Sequence, residues 1–312
     1  MVAIIAHRGA SAYLPEHTLQ AKAMAYAMHA DYLEQDVVAT RDNELVVLHD
    51  IHVDRVTDVS DRYPDRARED GRYYVRDFDL DELRSLNVTE RLDSAGQAVF
   101  SGRFPARTGR FRIHTLAEEL TLVAGLNQAT GGRTGVYPEI KRPHWHRQEG
   151  FDISVAVLQI LAEHGYENAD DPIFLQCFDA GELRRVRNEL DCRLRLVQLI
   201  GENRWAETAT DYDHLKSKPG LAELADTVDA IGPWVEQLYT IDPVAGKPAS
   251  TGLTESAHQS GLLVHPFTFR ADDLPSGFLC FEDMVHFFTG ELGVDGLFTD
   301  FPDRVYRYLL SG

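Results

Sequence analysis

The sequence of 312 residues has little of several features that would mark particular protein classes. Its 3 cysteines are odd in number and lack CxxC spacing, which excludes a disulfide framework and fits reduced, buried thiols. It contains no run of about 18 apolar residues, the length that a membrane-spanning helix needs. The N-terminus lacks a basic segment followed by a long apolar one. We therefore see no signal peptide, and on that ground alone expect a cytoplasmic location.

Positive charge is also scarce. Lys and Arg number 31 against 50 Asp and Glu, which gives a formal net charge of −19 at pH 7. This imbalance argues against nucleic acid or an anionic membrane surface as a general partner. A negatively charged small-molecule substrate would therefore need a local positive site, made by a metal ion, Arg or Lys.

What the sequence does contain is a regular alternation of short apolar runs and helical patterns. We predict eight strands separated by helices, near residues 3–6, 32–38, 135–141, 173–176, 194–200, 230–232, 262–266 and 296–299. The count predicts an α/β fold, a TIM (β/α)8 barrel, with one domain over residues 1–312. A doubly wound open sheet is the alternative, but no G-x-G-x-x-G motif follows the first strand.

Residues 52–113, after the second strand and its arm Leu45 to Leu48, have a different character. They are dense in Asp and Arg and show little periodicity, apart from a possible short helix near Leu80 to Leu86. We interpret them as an insertion over one face of the barrel. Long insertions at the loop end of a sheet are often lids or specificity elements, and a solvated decoration is the alternative.

Carboxylates collect on the predicted strands. Glu34 and Asp36 are two residues apart and therefore project from one face of their strand, as do Glu139 and Lys141. Buried carboxylates on one face repel each other unless a positive charge lies between them. An all-oxygen set made by Glu34, Asp36 and Glu139 suits one divalent cation, Ca²⁺ or Mg²⁺, and not zinc. The alternative is that Glu34 and Asp36 bind no metal and accept hydrogen bonds from Arg or from backbone N–H groups.

Reactive side chains follow several of these strands, and in a barrel such strand ends form the active site. His7 and Arg8 follow the first strand, and the arm after the second delivers His49. We expect His7 and His49 to act as a general acid/base pair, with Arg8 and Lys141 binding an anionic group. These parts fit phosphoryl transfer. Gln176, Phe178 and His265 also lie at strand ends, and we expect them to contact substrate.

Other residues have an ordinary structural explanation beside a functional one. The aromatic residues Trp234, Phe267 and Phe298, like Phe178, line a substrate pocket or belong to the core. His144 and His146 are interpreted as part of a loop near the mouth, because no third soft zinc ligand stands nearby. Cys177 is interpreted as packing, and His17 and His114 as structural. Asp50 and Asp300 either orient the site or cap the next loop.

Several motifs resemble the glycerophosphodiester phosphodiesterases, especially their periplasmic bacterial branch: AHRGAS, PEHT, YLEQDVVATRDNELVVLHD, YPEIK, LVQLI, LLVHPFTFR and GLFTDFP. The resemblance implies a TIM barrel with an inserted segment, and hydrolysis of glycerophosphodiesters such as glycerophosphocholine or glycerophosphoethanolamine to an alcohol and glycerol 3-phosphate. It places the metal carboxylates at Glu34, Asp36 and Glu139 and the catalytic histidines at His7 and His49. It also implies a periplasmic location, which conflicts with the absence of a visible leader.

Two other functions remain compatible with the residues. One is a Mg²⁺-dependent barrel lyase or isomerase acting on an enolisable acid. The other is a protein that binds a phosphate or polyol without turnover, against which His7 and His49 argue. The sequence does not decide the alcohol group, the choice between Ca²⁺ and Mg²⁺, which histidine is the base, or the oligomeric state.

Overall fold

Eight parallel strands form the central layer of the computed structural model, which describes residues 2–311. They are β1 (Ala3–Ala6), β2 (Tyr32–Ala39), β4 (Gly135–Ile140), β5 (Phe174–Cys177), β6 (Arg195–Ile200), β7 (Ala230–Pro233), β10 (Leu263–Val264) and β11 (Gly296–Thr299). Their order, β10-β7-β6-β5-β4-β2-β1-β11, is the sequence order of a barrel in which β11 has come round to β1. Backbone bonds across the remaining seam, from Asp295 N to Val264 O and from Phe298 N to Pro266 O (both 3.0 Å), bring the sheet nearly to closure. The predicted TIM barrel is confirmed.

Helices surround the strands. They are α1 (Leu19–Ala27), α2 (Val59–Arg62), α3 (Leu80–Ser85), α4 (Leu116–Thr130), α5 (Pro143–Gln148), α6 (Ile153–Glu163), α7 (Ala180–Asn188), α8 (Tyr212–Leu215), α9 (Lys218–Ala225), α10 (Leu253–Gln259), α11 (Phe281–His286) and α12 (Pro302–Ser311). Short 3₁₀ turns cover Pro64–Arg66, Val75–Asp77, Asn203–Trp205 and Val235–Gln237, and a π-helical turn, Phe287–Glu291, follows α11. Within residues 2–311 no helix combines the length and the apolar character needed to cross a bilayer.

Local sequence signals explain where several elements begin. Thr115 and Glu118 form a capping box before α4: Glu118 N donates to Thr115 Oγ1 at 3.2 Å, and Thr115 N donates to Glu118 Oε2 at 2.8 Å. All six residues of β4 are buried, as expected for a parallel strand covered on both faces. Two helices, α8 and α9, follow one another here, because Ser217 caps α9 and Pro219 cannot continue a preceding helix.

Two short features were not expected from the sequence. The segment after β4 is the helix α5 and not a loop; it begins at Pro143, whose fixed φ suits a first helical turn. An antiparallel hairpin of β8 (Tyr239–Ile241) and β9 (Pro248–Ser250) follows β7. Both features contain few residues, so their periodicity carries little signal.

The insertion packs on β2 and β3 through a second hydrophobic cluster. The strand β3 (Leu45–Val47) pairs antiparallel with β2 and leads into residues 52–113, in which α3 confirms the short predicted helix. Buried apolar residues from β2, β3 and the insertion pack together, among them Val53, Phe78 and Phe111. The insertion is therefore a packed layer joined to the end of β2, and it is held close to the residues that follow that strand.

Candidate active site

Register brings three polar side chains of neighbouring strands together. Asp36 on β2 lies beside Glu139 on β4, and Glu139 lies beside Gln176 on β5. Paired residues of parallel strands project to the same face, so these side chains meet at the carboxyl end of the barrel. All three are almost fully buried, and Gln176 Oε1 has no hydrogen-bond partner among the described residues.

A tight turn after β1 directs Arg8 toward the same place. Arg8 has a φ of 59° and Gly9 a φ of 89°; a Cβ at Gly9 would lie 2.8 Å from the backbone carbon of Ala21, so only glycine fits there. The turn directs Arg8 N to Glu34 Oε2 at 2.5 Å. Left-handed backbone at a non-glycine residue is unfavourable and is held here by the surrounding contacts.

The buried acidic residues form a group that could hold a cation. Ligand atoms of His17, Glu34 and Asp36 lie within 4.8 Å of one another. Glu139, the third predicted carboxylate, is not in that group; its Oε1 lies 2.8 Å from Lys141 Nζ. Asp36 Oδ1 is buried and accepts no hydrogen bond from the described residues. An oxygen without a donor among several carboxylates is what a site for a hard divalent cation requires.

The buried carboxylates of this group carry an excess of negative charge, which a divalent cation would balance. Burial and the neighbouring Asp36 raise the pKa of Glu34 well above its ordinary value. Burial also raises the pKa of Glu139, against the effect of Lys141. Burial alone would raise the pKa of Asp36, but Lys141, His49 and His17 together hold it well below its ordinary range. The three carboxylates therefore cannot all be charged at low cost without a further positive charge between them.

Each predicted catalytic histidine is bonded to a carboxylate. His7 Nδ1 lies 2.6 Å from Asp300 Oδ1, and His49 Nδ1 lies 2.7 Å from Asp50 Oδ1. A carboxylate that accepts from Nδ1 orients the ring and leaves Nε2 as the proton acceptor. Burial and Arg8 lower the pKa of His7 to about 4. The pKa of His49 is also lowered to about 4, by burial and by the positive charges of Arg8 and Lys141. Both rings are therefore neutral near pH 7 in the free enzyme.

The insertion supplies arginines that hold these carboxylates. Arg91 Nη1 donates to Asp50 Oδ2 at 2.7 Å, and Arg91 Nη2 donates to Glu16 Oε1 at 2.6 Å. Glu16 also accepts from Arg8 Nη1 at 3.0 Å. This chain of charge-assisted hydrogen bonds runs from the insertion to the turn after β1 and fixes the carboxylate partner of His49.

Asp300 has a similar environment. Its Oδ2 accepts from Arg103 Nη2 at 2.7 Å and from Arg270 Nε at 2.9 Å, while its Oδ1 faces His7. The two guanidinium groups help hold the pKa of Asp300 well below its ordinary value although burial opposes this. Asp50 and Asp300 thus orient the two histidines, which resolves the choice that the sequence left open.

Two cavities meet at the histidines. The first, called here the barrel cavity, has a volume of about 220 Å³ and contains the carboxylate group at its base. Its lining comprises His7, Arg8, Glu34, Asp36, His49, Glu139, Gln176, Phe178, Leu199, Trp205, Trp234, Phe267, Thr268, Arg270 and Phe298. The second, the insertion cavity, has a volume of about 250 Å³ and lies between the barrel mouth and the insertion. Both share His7, Arg8, His49 and Arg270, so a group held by these four residues would reach into both spaces.

The predicted substrate-contacting residues are placed differently from one another. Arg8, Gln176 and Phe178 line the barrel cavity. Lys141 does not line it, but its Nζ lies 2.8 Å from Glu139 Oε1 and 3.6 Å from Asp36 Oδ1. His265 is not brought to the cavity either.

His265 lies in the barrel interior. A 2.8 Å hydrogen bond joins its Nδ1 to the Tyr137 hydroxyl, and its ring packs against Phe174. It follows a strand of only two residues, Leu263–Val264, which ends lower in the barrel than the predicted strand to Pro266. His265 therefore follows a strand but does not lie at the mouth of the barrel.

The structure also places His144, His146 and Cys177. His146 is buried in α5, where Ala39 N donates to its Nε2 at 3.1 Å. His144 is exposed and lies beside Gln148. The two histidines therefore do not form a metal pair. Cys177 is buried, its Sγ donates to Ile140 O at 3.3 Å, and burial raises its pKa well above the ordinary value, as expected for a packing residue.

Sequence reasoning missed several residues of this region. His17 was interpreted as structural, but its Nε2 lies 2.7 Å from Asp36 Oδ2. Its place in the PEHT motif, next to Glu16, was the one available signal. Arg91 and Arg103 had no such signal, because one Arg among many in a charged insertion looks like any other.

Comparisons with known proteins agree with this geometry. The model of the glycerophosphoryl diester phosphodiesterase family matches residues 7–304. A glycerophosphodiester phosphodiesterase of Haemophilus influenzae is 42% identical over 324 aligned positions, which cover 98% of this chain and 89% of that protein. One of Treponema pallidum is 34% identical, over 98% of this chain and 91% of its own.

Solved structures share the fold at lower identity. A glycerophosphodiester phosphodiesterase of Agrobacterium tumefaciens has a TM-score of 0.64 at 20% identity, over 98% of this chain and 100% of that chain. A phosphodiesterase of Oleispira antarctica, solved with its product sn-glycerol 3-phosphate, has a TM-score of 0.63 at 18% identity, over 98% of this chain and 96% of its own. The family match and the identities confirm the resemblance of the motifs. This chain belongs to the glycerophosphoryl diester phosphodiesterase family and is an enzyme of the phosphodiester hydrolase class.

Proposed function

We propose that this enzyme hydrolyses glycerophosphodiesters to an alcohol and glycerol 3-phosphate, with a divalent cation and two histidines. The observation that carries the proposal is the meeting of His7, His49 and Arg8 with a buried carboxylate group around one cavity. The product bound in the Oleispira antarctica relative and the names of the curated relatives support the same substrate class.

The buried carboxylates are the candidate ligands. Glu34, Asp36 and Glu139 would hold Ca²⁺ or Mg²⁺, and the oxygen of Asp36 without a donor fits such a role. A bound cation would supply positive charge to the phosphoryl oxygens in the transition state. His17 would orient Asp36 through the 2.7 Å contact between them.

The chain's own residues account for the proton transfers. The Arg8 guanidinium, at the boundary of the two cavities, binds the phosphodiester. We assign His7 as the base that removes the proton from the attacking hydroxyl, either of the glycerol or of water. Attack by the glycerol hydroxyl would form a cyclic phosphodiester, which a water molecule then opens to glycerol 3-phosphate. The negative charge of the bound phosphodiester favours the protonated form of His49, which is neutral in the free enzyme. His49 then protonates the leaving alcohol. Its side chain is more exposed than that of His7, 31% against 11%, which suits the residue nearer the departing group.

The direct test is hydrolysis of glycerophosphocholine, measured as release of glycerol 3-phosphate. We expect turnover that is lost after exhaustive chelation and restored by Ca²⁺ or Mg²⁺. Full activity in the chelated enzyme would refute the metal site. An absence of turnover with every cation would refute the phosphodiesterase proposal itself and would favour binding without catalysis.

A further inference from the structure

The insertion cavity contains a carboxylate that the reaction above does not use. Glu90 lines this cavity and is only 4% exposed, and its Oε2 is buried without a hydrogen-bond partner. Among residues 2–311 no basic nitrogen lies within ion-pair distance, 4.0 Å, of its carboxylate oxygens. Burial and the nearby Glu16 raise the pKa of Glu90 to about 7.

The arginines of the same cavity, in contrast, are paired. Arg91 contacts two carboxylates, as described above, and Arg103 contacts Asp272 at 2.8 Å and Asp300 at 2.7 Å. Arg270 also contacts Asp300, at 2.9 Å. Glu90 is therefore a buried acid without a counterion in a cavity whose cations are already neutralised. A buried acid is costly unless it is paired, and the cavity leaves room for a partner from outside the chain.

We propose that the insertion cavity is the subsite for the alcohol part of the substrate, and that Glu90 selects alcohols carrying a primary ammonium group. This inference rests on the proposed phosphodiesterase function. Because both cavities share His7, Arg8 and His49, a phosphodiester held there extends its two substituents into the two spaces. Glycerol then occupies the barrel cavity above the carboxylates, and the alcohol reaches toward Glu90.

The lining favours a primary ammonium over a quaternary one. A primary ammonium supplies both positive charge and N–H donors to the carboxylate of Glu90. A quaternary ammonium has no N–H and is usually recognised by open aromatic faces. Phe100 is the one phenylalanine, tyrosine or tryptophan of this lining, and its ring already stacks with the Arg103 guanidinium at 3.8 Å.

The test compares three substrates with the intact enzyme: glycerophosphoethanolamine, glycerophosphocholine and glycerophosphopropanol, the neutral counterpart of the first. We expect the highest kcat/KM for glycerophosphoethanolamine. In Glu90→Gln, which keeps the shape and removes the charge, the ratio of kcat/KM for glycerophosphoethanolamine to that for glycerophosphopropanol should fall by about tenfold to a hundredfold, the range expected for a hydrogen bond to a charged group. Glu90→Asp should retain part of the preference.

Glu69→Gln is the matched control, because Glu69 is an exposed carboxylate of the same insertion. Its substrate ratio should equal that of the wild type. Equal losses on all three substrates in Glu90→Gln would assign Glu90 a structural role, and an unchanged ratio would remove it from the subsite; either result overturns the inference. Wild-type turnover of all three at equal rates would refute the subsite while leaving the phosphodiesterase function intact. No turnover of any would overturn both.

Discussion

Binding of a divalent cation should stabilise the folded protein by an amount that can be worked out. The carboxylates of Glu34, Asp36 and Glu139 are 2%, 1% and 5% exposed and come together only in the folded chain. A ligand that binds only the folded state adds about 2.7 kcal/mol at a concentration one hundred times its Kd. With an unfolding entropy of about 2.1 cal/mol/K per residue, 312 residues give about 0.66 kcal/mol/K. The midpoint of thermal unfolding should therefore rise by about 4 °C.

The size of this gain should depend on pH. The pKa values of Glu34 and Glu139 are raised in the folded state, so without a cation the folded protein holds protons that the unfolded chain has released. Their contribution to the free energy of unfolding is full below the ordinary glutamate pKa and is lost as the pH rises through the folded pKa values. A cation takes the place of these protons, so the gain should increase from about pH 5 to about pH 8.

Calorimetry in excess chelator and in excess Ca²⁺ or Mg²⁺ measures the effect without any activity assay. Glu139→Gln should lose most of the gain, whereas Glu69→Gln, at an exposed position of the insertion, should retain it. Equal midpoints with chelator and with either cation at about pH 8 would refute the reasoning, as would a full gain in Glu139→Gln.

Three further predictions follow from the same geometry. His7→Ala and His49→Ala should each lower kcat by roughly 10²–10⁴-fold with little change in thermal unfolding, and near wild-type rates in either would remove that residue from the proton transfers. Because the pKa of His7, the assigned base, is lowered to about 4, kcat/KM should fall on the acid side near that pH as His7 becomes protonated; an acid-side inflection at the ordinary value of 6.5 in an initial-rate profile would contradict this. Lys22 Nζ is fully buried against Glu119 Oε1 at 2.8 Å, so Lys22→Met should lower the free energy of unfolding in urea by about 3–5 kcal/mol, with partial recovery in the double variant Lys22→Met/Glu119→Met; equal losses in both would show that the pair is not coupled.

Many strands and helices of the barrel could be predicted from short sequence patterns. The strands β1 and β11 have the bounds that their apolar runs predict, and α4 begins at its capping box. These features depend on residues a few positions apart, which is the range over which periodicity and capping act. The insertion lacked such signals, because its core is assembled from single apolar residues separated by charged ones.

The candidate ligands and histidines could be listed from the sequence for a similar reason. Each follows or lies on a strand, and a parallel barrel gathers the carboxyl ends of its strands at one mouth. The same rule predicted that His265 lies at the mouth of the barrel. The rule does not say how far along the barrel axis a short strand extends. The structure places His265 against Tyr137, inside the barrel.

The sequence by itself determined the chemical character of this protein: the carboxylates, the two histidines and Arg8, spaced along a strand-and-helix pattern that closes into a barrel. Only the tertiary structure decided their partners. His7 and Asp300 are 293 positions apart, and Arg91 of the insertion reaches both Glu16 and Asp50. Such contacts depend on how distant segments pack, and no periodicity in a linear chain encodes them.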